Sequence, residues 1–212
     1  MELQLMQLCE VGDLEGAKSF LRDNPDINIS VENDILFCFT CRKGHLEVAK
    51  WLLQVKPDIN ISVYNECAFT FACCKGHLEV AKWLLSVKPD INISLYNERA
   101  FRSTCCDGHL EVAKWLLQVK PDINISWNNE CTFRDACYKR HFDVAKWLQS
   151  LKPYLYVIEY DKNGKYTSYR IRSNEEANWE RRKYALHMAL QEETNVLYYL
   201  PKDIAKTVTQ FV

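Results

Sequence analysis

Apolar positions in the first 150 residues follow two alternating patterns. In ECAFTFACCK (66–75), Ala68, Phe69, Ala72 and Cys73 recur at intervals of three and four, one face of a helix. LEVAKWLL (78–85) repeats that spacing at Leu78, Ala81, Leu84 and Leu85, predicting a second helix. Gly76, between them, is suited to the left-handed residue that closes a helix. The second helix cannot pass Lys88-Pro89, since proline lacks an amide hydrogen and restricts the residue before it. DINISLYNE (90–98) then alternates Ile91 and Ile93 with polar residues, predicting an extended segment that turns at Asn97. Two short antiparallel helices and a protruding hairpin make one unit.

The unit recurs. GHLEVAKWLL stands at 44–53, 76–85 and 108–117, with RHFDVAKWLQ at 140–149 and GDLEGAKSFL at 12–21, always 32 residues apart. A fixed period of this length means stacked units rather than a closed globule. The predicted fold is an all-α repeat solenoid over 1–153, in five units: 1–27, 28–59, 60–91, 92–123 and 124–153. The first lacks the hairpin and is expected to cap the N-terminal end.

The unit resembles the ankyrin repeat. Ala72-Cys73, Gly76-His77, Val80, Leu84-Leu85 and Asp90-Ile91-Asn92 carry the likeness, in register over 1–153. The family's threonine-proline-leucine-histidine opening is replaced by Cys67-Ala68-Phe69-Thr70, Arg99-Ala100-Phe101-Arg102 and Cys131-Thr132-Phe133-Arg134. The hairpin glycine becomes Asn33, Asn65, Asn97 and Asn129, asparagine being the common alternative at positive φ. The glycine after the second helix becomes Lys56, Lys88 and Lys120, each before proline, so that helix end should differ from the family's. These departures, and the near-identity of neighbouring units, look like the arrays encoded by giant DNA viruses of amoebae.

Composition narrows the function. Nearly half the 212 residues are hydrophobic (48%), and the formal charge of -1 gives no reason to expect nucleic acid or a membrane surface as partner. No apolar run reaches membrane-span length and the first residues are acidic, so the expectation is a cytoplasmic monomer, in the host cell if viral. Cys9, Cys41, Cys73, Cys105 and Cys137 form one column at the repeat interval. Equivalent atoms of stacked helices lie about 8–10 Å apart, too far for a disulfide, so the column is expected to be buried and reduced. His45, His77, His109 and His141 are expected in the inter-helix turns, and Trp51, Trp83, Trp115 and Trp147 in the packing. No nucleophile–base pair, phosphate loop or metal spacing is present, so no enzymatic activity, metal or cofactor is expected.

The resemblance implies a protein target bound by hairpin tips and first helices, on the concave face. The informative positions differ between otherwise near-identical units. At the tips they include Tyr64, Tyr96, Trp127 and Asn128. On the first helices they are Thr70, Arg102 and Arg134; Phe71, Ser103 and Asp135; Lys75 and Asp107; and Tyr138. Tyr, Trp and Arg are the residues enriched at energetic hot spots.

After Pro153 the period fails. YLYVIEYDKNGKYTSYRIRS (154–173) alternates around Asn163-Gly164, a hairpin signal. Ser173 and Glu176 fit a capping box opening a helix to about residue 192. A last helix is expected from Pro201 to Phe211, making 154–212 a hairpin-and-two-helix cap for the array. Leu200, Pro201, Ile204, Val208 and Phe211 also look similar to the first helix of an F-box, which implies the alternative of a substrate receptor for a cullin-type ubiquitin ligase.

Overall fold

The computed structural model describes residues 2–191, without the side chains of 31–33 and 184–191. The expected last helix, and with it Leu200, Pro201, Ile204, Val208 and Phe211, lies outside the described residues. The chain divides into two compact units, 1–145 and 146 onward.

The first contains the array, as five helix pairs: α1 (Glu2–Val11) with α2 (Leu14–Asp23), α3 (Val31–Lys43) with α4 (Leu46–Val55), α5 (Val63–Cys74) with α6 (Leu78–Val87), α7 (Leu95–Cys106) with α8 (Leu110–Val119), and α9 (Trp127–Tyr138) with α10 (Phe142–Leu151), which crosses the division. Each first helix packs on the first helix of the next unit. The core repeats with the sequence. Phe37, Phe69, Phe101 and Phe133 are buried in the first helices, and Leu52, Leu84, Leu116 and Leu148 in the second. Val80, with Ala81 and Leu84, forms the buried face of α6, while Leu78 and Leu85 are only half-buried. The tryptophans pack between units as expected: Trp83 lies 6.1 Å from Phe37 and Trp115 lies 6.2 Å from Phe69, ring centre to ring centre.

Helix ends follow the local chemistry. Gly44 adopts φ 83° and Gly76 φ 79°, and their amides bond back to Cys41 and Cys73 carbonyls. Lys56, Lys88 and Lys120 end the second helices with φ between -131° and -133°, an extended residue where the following proline forbids a further helical one.

The connections differ from the expected hairpin. Among the described residues no strand pairs with another between successive repeats; the chain instead makes a left-handed turn immediately after the first residue of α5, α7 and α9. Tyr64, Asn65 and Glu66 have φ of 48°, 59° and 60°, and Tyr96, Asn97 and Glu98 and Asn128, Asn129 and Glu130 repeat it. Asparagine thus takes positive φ as expected, but so do both its neighbours.

The cysteine column is buried, at most 1% exposed. Burial pushes the Cys9 and Cys137 thiols up to about 12 and raises those of Cys41, Cys73 and Cys105, which keeps them protonated and unreactive. One disulfide lies outside that column. Cys38 bonds Cys67 with Cα atoms 6.0 Å apart. The two stand 29 residues apart, three short of the period, and that offset brings facing helices closer than equivalent positions come.

In the second unit β1 (Tyr156–Tyr160) pairs antiparallel with β2 (Tyr166–Ile171), Tyr156 opposite Ile171 and Ile158 opposite Tyr169. The Asp161 carboxylate accepts from the Asn163 and Lys165 amides, and Gly164 takes φ 76°. The capping box forms: the Glu176 carboxylate accepts from the Ser173 amide at 2.8 Å, and the Glu176 amide donates to Ser173 Oγ at 3.2 Å. It opens α11 (Asn174–Gln191). No helix among the described residues is long and apolar enough to cross a membrane.

Candidate protein-binding face

The array's variable positions fall on two connected surfaces: the left-handed turns, and the outward side of the first helices. Two of the turns, those of the third and fourth units, present a tyrosine. Tyr64 and Tyr96 are 50% and 51% exposed. The turns are held beneath: Ser62 Oγ donates to the Glu66 carboxylate at 2.8 Å, and Ser94 Oγ to that of Glu98 at 2.8 and 3.0 Å. In the second unit of the array Ser30 bonds Asp34, whose carboxylate also accepts from the Asn60 amide of the next unit at 3.0 Å. Trp127 is half-buried and Asn128 exposed at the fourth turn.

Several predicted binding residues are tied into the array itself. Arg102 donates from Nε to the Asn97 carbonyl at 2.8 Å and from Nη2 to the Tyr96 carbonyl at 3.2 Å. Its guanidinium lies 4.0 Å from the centre of the Trp127 ring. It therefore braces its own unit's turn against the next unit's. Asp107 sits between Lys75 at 3.4 Å and Lys139 at 3.2 Å, in the units before and after. Burial pushes the Asp107 carboxyl up, but hydrogen bonds from Lys139 and Lys75 outweigh it and hold the group below its ordinary value. Phe71 lies under the Arg42 guanidinium at 5.3 Å and beside the cluster of Cys38, Val63 and Cys67. Ser103 takes a hydrogen bond with the buried Cys74.

Others are open. Tyr138 is 84% exposed, Asp135 is exposed, and Thr70 and Arg134 are half-buried. Sequence reasoning passed over Arg99, exposed on α7 three residues before Arg102. Its column reads Ile35, Cys67, Arg99, Cys131, and that variation was the available signal.

The histidines link neighbouring units. His45 Nε2 lies 2.9 Å from the Glu10 carbonyl oxygen and His77 Nε2 lies 3.0 Å from that of Arg42, so each ring donates to the unit before it. Each ring also covers a glycine of that unit: a Cβ on Gly44 would come within 2.4 Å of His77 Nδ1. The last unit has Arg140 in the glycine's place, still at φ 63°, and the position where a fifth histidine of the column would stand is Ser173.

A family model for ankyrin repeats, in 3 copies, matches residues 5–97. Among solved structures the chain is similar to the human ASB11 ankyrin repeat domain, at 22% identity and a TM-score of 0.55, over 69% of this chain and 68% of that one. No curated protein matches the chain closely enough to count as a relative. At such identity structural likeness speaks for the fold and not for a shared target. Residues 5–97 therefore carry ankyrin repeats, and the fold of the array is that of an ankyrin solenoid.

Proposed function

We propose that the chain is a non-enzymatic scaffold that binds another protein through the turn tips and first-helix face of its array. Ankyrin repeats generally mediate protein–protein interaction, and one observation carries the reading to these residues. Tyr64 and Tyr96, half exposed at equivalent places in neighbouring units, stand on backbone of φ 48° and 52°. Left-handed backbone at non-glycine residues persists only where the surroundings over-determine it, and such residues cluster at binding sites. A tyrosine held this way offers contact area with little freedom left to lose. If the chain is virally encoded, as its resemblance implies, the target is a host protein met in the cytoplasm.

The test replaces Tyr64, Tyr96, Arg134 and Tyr138 together by alanine. Arg102 and Trp127 stay, because they brace the turns. Partners captured by the natural chain should be lost while helical circular dichroism is unchanged, each true anchor contributing about 2 kcal/mol. A folded variant that keeps every partner removes this face from consideration. The ubiquitin-ligase reading rests on 200–212 alone, and no observation among the described residues favours it.

A further inference from the structure

Along the array the first-helix face changes character. In its second and third units its middle is apolar, with the bridged Cys38 and Cys67 beside Val63 and Phe71 and the Arg42 guanidinium over the Phe71 ring. In its fourth and fifth units the same columns hold Arg99, Arg102 and Arg134. This replacement comes with a local charge imbalance, although the whole chain carries only -1.

Elsewhere the array neutralises its charges in pairs. On the second helices Lys50, Lys82 and Lys114 bond Glu47, Glu79 and Glu111. In the turns after them Lys56, Lys88 and Lys120 bond Asp58, Asp90 and Asp122. The glutamates of the left-handed turns are taken too: Glu66 and Glu98 accept from Ser62 and Ser94, and Glu98 is buried. On the first-helix face the balance fails. Asp107 serves two lysines at once, and Arg99 and Arg134 form no ion pair with an acid among the described residues. Among the described side chains, the only other acid at these variable positions is Asp135.

We infer that this face takes an acidic, extended segment of a partner protein, with carboxylates on Arg99 and Arg134 and an apolar side chain beside Phe71. The inference rests on the protein-binding reading and adds the chemistry of the target. Guanidinium groups suit it because they meet carboxylates through two parallel hydrogen bonds. Geometry suits an extended occupant: stacked helices are about 8–10 Å apart, and an extended chain advances about 3.3 Å per residue. Arg99 and Arg134 stand on successive units but 35 residues apart, three more than the period, so acids spaced wider than the roughly three residues that match equivalent positions would meet them.

The full-length chain, screened against a displayed library of random peptides, tests this directly. Bound sequences should be enriched in Asp and Glu near an apolar residue and should bind more weakly as salt rises. The double variant Arg99→Glu, Arg134→Glu, with unchanged circular dichroism, should bind them about tenfold more weakly and select Lys- and Arg-rich peptides instead. Three outcomes overturn the inference: binders without acidic enrichment, selected peptides held equally by the double variant, or a single-stranded oligonucleotide of equal charge bound as tightly as they are. A library yielding no binder overturns it as well. If acid-free binders are selected and are lost on substituting Tyr64 and Tyr96, the acidic partner is wrong while the protein-binding reading stands. Retention of partners by the four-alanine variant would sink both.

Discussion

Thr132 occupies a buried place, 1% exposed, where the third and fourth units have Ala68 and Ala100, and its Oγ1 has no partner among the described residues. The other buried threonines are satisfied, Thr40 by the Leu36 carbonyl at 2.8 Å and Thr104 by that of Ala100 at 2.7 Å. An unpaired buried hydroxyl costs about 1–3 kcal/mol, so Thr132→Ala should stabilise the fold by about 1 kcal/mol. The melting temperature should rise by about 2–4 °C; a fall would mean that the hydroxyl has found a partner. Gly76 is the opposite case. It needs φ 79°, and a Cβ there would lie 2.5 Å from His109 Nδ1. Gly76→Ala should cost more than about 2 kcal/mol, combining the left-handed penalty with the clash. In a His109→Ala background only the backbone part should remain, so urea unfolding of the four species should show a coupling. Additive costs would show that the ring does not enforce the glycine.

At the scale of elements the left-handed turns are the departure. Each places three consecutive non-glycine residues where L-residues pay about 1–2 kcal/mol apiece. That cost is offset by the Ser–Glu bonds beneath and, in the fourth unit, by Arg102 across the Tyr96 and Asn97 carbonyls. The variant Arg102→Ala removes two hydrogen bonds and the stack on Trp127, and should destabilise the array by about 1–2 kcal/mol. Amide exchange should quicken at residues 95–99 and stay unchanged at 63–67, where Thr70 stands in the arginine's place. Equal protection at both turns would mean that Arg102 is spare for a partner.

At the scale of the molecule, stability should fall in acid in two stages. Burial, above all, lowers the affinity of His77 and His109 for protons below the ordinary 6.5. With the folded value depressed, the unfolded chain binds more protons below 6.5, so stability present above that pH is lost as pH falls through the window beneath it. Asp107, held below 3.8, contributes stability above that value and loses it at lower pH. Urea midpoints should therefore be flat above about pH 7 and decline from pH 6.5 to 5. The double variant His77→Gln, His109→Gln should flatten this first decline and leave the acidic one. A natural chain with no decline between pH 6.5 and 5 would refute the histidine account.

What the sequence determined follows from repetition and from chemistry that acts within a few residues. The period, the helix pairs, the glycine and proline punctuation, the buried cysteine column and the capping box at Ser173 and Glu176 all depend on neighbours in the chain, so they could be read directly. So could the positions free to vary, although not their use. The tertiary structure decided what those residues touch across the stack. Arg102 and Lys75 read as binding residues until the packing of one unit on the next gave Arg102 the Trp127 ring and Lys75 the Asp107 carboxylate. Cys38 met Cys67 because facing helices are offset by three residues, an offset no single helix contains. The expected extended segment is a left-handed turn in the folded array. Alternation of apolar residues marks which side is buried and does not report the sign of φ. The left-handed turns go with bonds from Ser62, Ser94 and Arg102, and Arg102 is itself held by the Trp127 ring of the next unit, a contact that exists only in the folded array.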